Sequence, residues 1–328
     1  MTAHGDGLRG VVVGESTICD VQPEGNLYYR GYSIHDLARH ATFEEVIYLL
    51  WHDDLPTRSQ LQALRQSIEQ HQMLPAKLSE LLSGFPVGAN SMDALRTGVS
   101  ALGMFDPDAG DNSEEANQRK ALRVQSLIPA IAAANERISQ GKLPIAPKPG
   151  LGIAANFLYM LEGHEPDPLF ARTLDIDLIL HADHELNAST FATRVTVSVQ
   201  ADLYSGMVSG IGTLSGPKHG GAAEETMQML LEVGSPERVD DYVRPRLAGE
   251  KRSPIPGFGH AVYRAPDPRA THLRDMSRQL GELNRDLRWY EITTATERIV
   301  DELSNTAEYA VLNRRQACRK VALLYCFE

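Results

Sequence analysis

Apolar residues recur every three to four positions along most of this chain, which is the spacing of helices that bury one face. The stretch after Thr42 shows this most clearly, because Phe43 and Val46 begin an apolar face that closes before Pro56. Thr42 and Glu45 have the spacing of a capping box, in which the hydroxyl accepts from the third amide and the carboxylate reaches back. The pattern therefore predicts a capped helix over this stretch.

The same spacing continues almost to the end of the chain. It predicts helices that begin at Thr57 and Pro236 and helices that cover 93–103, 122–139, 151–161, 167–180, 222–233, 269–283 and 289–303. Two short stretches near the start, 10–20 and 26–30, are rich in β-branched or aromatic residues instead, which favours a small hairpin. We therefore predict an all-α fold with a small N-terminal β element.

Residues 191–214 (FATRVTVSVQADLYSGMVSGIGTL) are small and apolar, and their valines and threonines would also suit a strand. We interpret them as one buried helix, packed closely at Ser205, Gly206 and Gly210. Before them, 144–150 (PIAPKPG) contains enough proline and glycine to be a connector.

Composition narrows the class of protein. The 328 residues are 42% hydrophobic and 23% charged, which is typical of a globular chain with one large or two ordinary domains. The net charge of −11 argues against sequence-independent nucleic-acid binding, so an anionic ligand would need a local basic patch. Three cysteines are too few for a disulfide framework, and no signal peptide or apolar run of about 20 residues is visible. We expect a cytoplasmic protein with no membrane partner.

His219 is the most informative of the eleven histidines. It stands in GPKHGG, where a glycine-rich loop meets a predicted helix, and the positive end of a helix disfavours imidazolium. A neutral imidazole can donate to a substrate oxygen and stabilise an enol or enolate. The alternative is a histidine that caps the helix and binds no ligand.

His260 follows the proline- and glycine-rich loop PIPGFG, and basic residues flank it. These are Lys251, Arg252, Arg264 and Arg269, the densest basic patch near any candidate site in this acidic chain. Arginine forks suit carboxylates and phosphates. The alternative is an ordinary solvated turn.

His181 and His184 (HADHE) invite a metal hypothesis, because two histidines three residues apart can share a helix face. No cysteine ligand stands nearby and the zincin pattern is missing, so we predict no metal site and favour a polar substrate site. The chain also lacks a Walker A loop, a G-x-G-x-x-G loop after a strand and a G-x-S-x-G elbow.

Together the histidine segments resemble the citrate synthase family. The matching text is DLILHADHELNASTFATRV (177–195), SGPKHGGAAEE (215–225) and IPGFGHAVYRAPDPR (255–269), and the resemblance extends over roughly 8–303. It implies a mostly helical homodimer with a large domain at 1–216 and a small domain at 217–303 that close over the substrates. Residues 304–328 would be an atypical tail.

The resemblance also implies a reaction of the tricarboxylic acid cycle. Acetyl-CoA condenses with oxaloacetate and the thioester is hydrolysed, giving citrate and CoA, so that CoA is substrate and product and no separate cofactor is needed. By resemblance, His219 holds the thioester oxygen and His260 polarises the ketone, while His184 and Arg269 bind oxaloacetate. The residues assigned to CoA are Pro254, Ile255, Pro256, Gly257 and Arg264.

One departure from the family pattern concerns the general base. The resemblance implies an aspartate near position 315, but Arg315 stands there and Asp301 is the last aspartate. Two further carboxylate-binding arginines would lie beyond Glu328. We interpret the sequence after about Leu303 as not the family's own, through a frameshift or a truncation. Loss of a general base typically slows a reaction about 10²- to 10⁴-fold.

Three alternatives to a citrate-forming enzyme follow from these residues. The first is a 2-methylcitrate synthase, which uses propionyl-CoA. The second is a catalytically impaired protein that still binds CoA or oxaloacetate, or only dimerises. The third is a metal-dependent hydrolase built on His181 and His184.

Overall fold

The computed structural model describes residues 14–217, 219–247, 255–258, 263 and 265–304. The chain divides into two compact units. The terminal unit contains Met1–His35, Asp183–Leu186 and Ala222–Glu328, and the central unit contains Asp36–Ala182 and Asn187–Gly221. The division into domains at 1–216, 217–303 and 304–328 stays a prediction.

Helices dominate both units, which confirms the predicted fold class. Those of the described residues are α1 (Ile34–His40), α2 (Phe43–His52), α3 (Arg58–His71), α4 (Ala76–Ser83), α5 (Ser91–Phe105), α6 (Glu114–Ser139), α7 (Ile153–Glu162), α8 (Pro168–Leu180), α9 (Ala188–Val197), α10 (Leu203–Leu214), α11 (Gly221–Val233), α12 (Val239–Leu247), α13 (Pro268–Asn284) and α14 (Arg288–Ser304). The strands are β1 (Cys19–Gln22), β2 (Asn26–Tyr29) and β3 (Tyr32–Ser33).

The three strands form an antiparallel sheet in the order β1-β2-β3. Its register pairs Cys19 with Tyr29 and Gln22 with Asn26. Within the described part of the predicted strand at 10–20, residues 14–18 are irregular, so the strand begins later than predicted. The reason is that β2 ends at Tyr29, where the following Arg30 adopts a left-handed φ of 47°, so pairing in β1 extends back only to Cys19.

Local capping signals in the central unit are confirmed. Thr42 and Glu45 form the predicted capping box at the start of α2, and Thr57 forms a second box with Gln60 at the start of α3. The core of the unit contains the fully buried side chains of Leu78 and Leu82 from α4, Val99 from α5 and Ile131 from α6.

Two carboxylates cap helices to which they do not belong. Glu44 of α2 is 3% exposed and accepts the amide of Ile153, the first residue of α7, at 2.7 Å. Gly152, the N-cap of α7, has no side chain that could accept this amide. In the same way, Asp175 of α8 accepts the amide of Phe43 at the start of α2. These contacts satisfy amides that a helix start leaves without an intrahelical partner.

The prediction of one buried helix over 191–214 is wrong. The chain forms two helices, α9 and α10, because Gln200 adopts a left-handed φ of 65° and Asp202 caps α10. No residue of α9, all of which the structure describes, is buried. The close packing at glycine is confirmed, since a Cβ on Gly206 would lie 2.8 Å from a methyl of Val197. Ser205 is exposed and bonds to Asp202 instead.

The terminal unit has its own apolar core. Leu230, Val243, Ile292 and Ile299, from α11, α12 and α14, are at most 1% exposed. In α13, Leu273 and Leu280 are buried, whereas Leu283 is 46% exposed. In the part of the chain that the structure describes, every helix falls short of the length or apolar character that a bilayer span requires.

Candidate active site

His219 lies in the central unit, two residues before α11 begins, as the sequence predicts. It is half-buried, and its Nε2 lies 2.9 Å from the hydroxyl oxygen of Ser189. Ser189 stands in the first turn of α9, where the side chain of Asn187 accepts the amides of Ser189 and Thr190. The N-cap of α9 therefore fixes the hydroxyl that holds the His219 ring.

The loop around His219 folds back on the end of α10. The Gly220 amide donates to the carbonyl of Leu214 at 2.9 Å, and the His219 amide donates to Gly216. A Cβ on Gly220 would lie 2.6 Å from that Leu214 carbonyl oxygen. Glycine at this position is thus needed for backbone packing, in addition to any room it leaves for a substrate.

His184 lies in the terminal unit, on a short segment that the β-sheet holds in place. The hydroxyl of Tyr29 in β2 donates to the Asp183 carbonyl at 3.1 Å, and the amide of Val21 in β1 donates to the Glu185 carboxylate at 2.8 Å. Glu185 has a left-handed φ of 55°, a conformation that these contacts stabilise. Burial raises the pKa of Asp183 and of the Tyr29 hydroxyl. The small sheet therefore serves as the support for His184.

Tyr263 contacts His184 directly. Its hydroxyl lies 3.2 Å from His184 Nε2, and the two rings meet edge to face with centroids 5.5 Å apart. Tyr263 is 1% exposed, so its hydroxyl sits away from bulk water.

Arg269 is the second residue of α13 and is 9% exposed. Asp267 accepts from its Nε at 2.9 Å and from its Nη2 at 2.6 Å, and also caps the helix. Burial acts to lower the pKa of Arg269, but the hydrogen bonds and charge of Asp267 raise it overall, so the guanidinium stays charged. The Nη1 amino group is the part that Asp267 does not engage. This arrangement can present a fixed cation to a carboxylate.

The predicted CoA loop is described in part. Ile255 is buried in the core of the terminal unit, and its carbonyl accepts the amide of Phe258, which closes a turn over Pro256 and Gly257. Gly257 has a φ of +83°, which favours glycine. The predicted residues Pro254, His260 and Arg264 lie outside the described residues.

His181 and His184 belong to different units, and His181 pairs with the carboxylate of Asp177 at 2.7 Å. The described residues contain no group of three or more metal-ligating side chains. A metal-dependent hydrolase built on His181 and His184 would therefore need a further ligand from outside the described residues.

The sequence interpretation missed the partners that orient the candidate residues. Tyr263 and Asp267 both stand within the quoted segment HAVYRAPDPR, and an aspartate directly before a proline at a predicted helix start was a usable capping signal. Tyr29 had no such signal, because its contact with Asp183 spans 154 positions.

Comparison with known proteins gives consistent matches. The sequence model of the family described as "Citrate synthase, C-terminal domain" matches residues 7–316. Citrate synthase 2 of Bacillus subtilis is 45% identical over 295 residues, which cover 90% of this chain and 78% of that protein. The 2-methylcitrate synthase of Mycobacterium tuberculosis is 40% identical over 287 residues, which cover 87% of this chain and 72% of that protein.

Solved structures agree. The structure is similar to citrate synthase from Pyrobaculum aerophilum with a TM-score of 0.86 and 34% identity, covering 98% of this chain and 80% of that one. It is similar to a citrate synthase from Thermoplasma acidophilum with a TM-score of 0.86 and 27% identity, covering 91% of this chain and 78% of that one. The second structure is a ternary complex with carboxymethyl coenzyme A and oxaloacetate.

Proposed function

The chain belongs to the citrate synthase family, and we propose that it condenses acetyl-CoA with oxaloacetate to give citrate and CoA. The observation that carries this proposal is the match to citrate synthases along almost the whole described chain. The folded surroundings of His219, His184 and Arg269 support it, since each has a partner that fixes its side chain.

The reaction has three chemical steps. A base takes a proton from the methyl group of acetyl-CoA while the thioester oxygen is hydrogen-bonded as the enol or enolate, and the carbon of this nucleophile then bonds to the ketone carbon of oxaloacetate. The alkoxide that forms takes up a proton, and water cleaves the thioester to release CoA. We propose that His219 donates to the thioester oxygen as the enol forms and that His260 polarises the ketone and protonates the alkoxide.

Oxaloacetate is a dicarboxylate, and its proposed ligands are His184 and Arg269. The buried guanidinium supports this role because Asp267 keeps it charged and correctly oriented while its Nη1 group remains outside that ion pair. His184 lies on the segment that the β-sheet supports.

We propose that the turn at 255–257, with Pro254 before it, presents backbone groups to CoA and that Arg264 meets a phosphate. The left-handed Gly257 supports this, because a side chain there would strain the turn. CoA then enters as substrate and leaves as product, and the proposal includes no separate cofactor. Turnover that is unchanged by a metal chelator would agree with it, and loss of turnover would contradict it.

A thiol-release assay tests the reaction. Protein, acetyl-CoA and oxaloacetate should release free CoA, and the rate should fall at least about 100-fold in His219→Ala, as for loss of a proton-transfer or oxyanion group. Omitting oxaloacetate measures the background. No release above that background would contradict the proposal.

The same assay with propionyl-CoA addresses the second candidate substrate, which the 40% identity to a 2-methylcitrate synthase favours. A higher kcat/KM with propionyl-CoA would assign the chain to 2-methylcitrate formation. The impaired alternative rests on Arg315, which stands where the family pattern has an aspartate and lies outside the described residues. Oxaloacetate binding without CoA release would favour that alternative.

We also propose a homodimer that forms through α9. This helix is fully described and has no buried residue, yet Val195, Val197 and the following Val199 are 55%, 40% and 78% exposed. Apolar side chains that remain this exposed, such as Val195 and Val199, favour a protein–protein interface here. In light scattering, Val195→Asp should reduce the mass of the particle by half, whereas Val87→Asp, on a side chain 93% exposed, should not. Equal masses for both variants would contradict an interface at α9.

The proposed location is the cytoplasm, which the low cysteine count supports. If cell fractionation recovered the protein in an oxidising compartment, the proposed cytoplasmic location would be wrong.

A further inference from the structure

Tyr263 contacts His184, one of the two residues proposed to bind oxaloacetate. Its hydroxyl lies 3.2 Å from His184 Nε2. Tyr263, His184 and Arg269, the second proposed ligand, all belong to the terminal unit.

The contact with His184 constrains the imidazole in two ways. A hydroxyl at Nε2 biases which ring nitrogen carries the proton, since the hydrogen bond at one nitrogen sets the state of the other. The ring of Tyr263 also packs edge to face at 88°, so a rotation of the imidazole would break the hydrogen bond and the ring contact together.

Burial makes this constraint effective. Tyr263 is 1% exposed, and a hydrogen bond shielded from water is electrostatically stronger than one in bulk solvent. On the other side of His184, the β-sheet holds Asp183 and Glu185 through Tyr29 and Val21. The backbone of His184 is therefore fixed by the sheet, and its ring meets Tyr263.

We propose that Tyr263 is a positioning residue that sets the ring orientation and tautomer of His184 for oxaloacetate. The inference rests on the proposed role of His184 in binding that substrate. The first part of the inference concerns the orientation and tautomer of the His184 ring, which can be measured in the protein without ligand.

The test compares Tyr263→Phe with Tyr204→Phe. Both remove the hydroxyl of a buried tyrosine, but Tyr204 lies in the central unit and bonds to Asp106. Long-range ¹H–¹⁵N spectra of protein labelled at histidine nitrogen report the tautomer, and His184 is assigned by the signal missing in His184→Gln. The His184 nitrogen shifts should change in Tyr263→Phe and stay unchanged in Tyr204→Phe. Unchanged shifts in Tyr263→Phe would overturn the proposal.

Calorimetric titration with oxaloacetate tests the second part. The dissociation constant should rise about tenfold in Tyr263→Phe, the effect of losing one buried hydrogen bond that orients a ligand group. It should rise at least as much in His184→Gln and not in Tyr204→Phe. If His184→Gln binds as the wild type does, the proposed role of His184 fails while the spectra still decide the role of Tyr263. If only His184→Gln weakens binding, positioning by Tyr263 is refuted.

Discussion

Glu44 caps the start of α7 from a neighbouring helix, and we expect Glu44→Ala to lower the free energy of unfolding by about 2–3 kcal/mol. The carboxylate accepts the Ile153 amide at 2.7 Å, and Gly152 offers no substitute. Leaving a buried amide without an acceptor costs about 1–3 kcal/mol, and losing a helix cap costs about 0.5–2 kcal/mol. Both figures describe largely the same hydrogen bond, so they are not added. The Arg65 contact at 3.7 Å adds little, because Arg65 is half-exposed.

Urea unfolding followed by circular dichroism measures this loss. Glu44→Gln keeps a carbonyl oxygen at the same place, so it should lose less than half as much stability as Glu44→Ala. Glu114→Ala, at an exposed first-turn position of α6, should change stability by no more than about 0.5 kcal/mol. The reasoning is refuted if Glu44→Ala also stays within that range, or if the glutamine variant is as unstable as the alanine variant.

The same carboxylate acts on Asp175 through its charge. Burial, and then the negative charge of Glu44, raise the pKa of Asp175 above its ordinary value. A raised pKa in the folded state means that the fold gains stability as the pH falls through that pKa and loses it as the pH rises. In Glu44→Gln the pKa of Asp175 should be lower and this gain smaller. Carboxyl ¹³C shifts against pH measure it, and an unchanged Asp175 titration would contradict the contribution of Glu44.

Two further predictions concern the core and the His219 site. Leu82→Ala should cost about 2–5 kcal/mol in urea unfolding, because Leu82 is fully buried, whereas Leu143→Ala, at 84% exposure, should cost less than about 0.5 kcal/mol. Ser189→Ala should lower kcat about tenfold in the thiol-release assay with little change in unfolding, since it removes the hydroxyl that holds the His219 ring. Equal kcat in the variant would contradict that role.

Helix starts were predictable from the sequence because their chemistry is local. The boxes at Thr42 with Glu45 and at Thr57 with Gln60 each involve residues three positions apart, so the residue types alone determine the bonds. The position of His219 just before α11 was predictable for the same reason, since glycines next to a helical apolar pattern mark that junction.

Contacts that support the candidate site were beyond such reasoning. The hydrogen bond between His184 and Tyr263 spans 79 positions, and the one between Tyr29 and Asp183 spans 154. Which residues meet over such distances depends on the packing of whole elements, which periodicity does not encode. Sequence reasoning therefore identified candidate site residues and missed the residues that orient them.

The failure at 191–214 has a different origin. Small and apolar residues indicated a buried segment, and α10 indeed packs its glycines against α9, with a Gly210 Cβ position only 2.7 Å from the Thr193 hydroxyl oxygen. However, α9 leaves Val195 55% exposed, and Val197 remains 40% exposed although one of its methyl groups packs at Gly206 of α10. An apolar pattern shows that a face avoids water without showing which chain covers it. A partner subunit, as proposed for α9, would reconcile the pattern with the exposure.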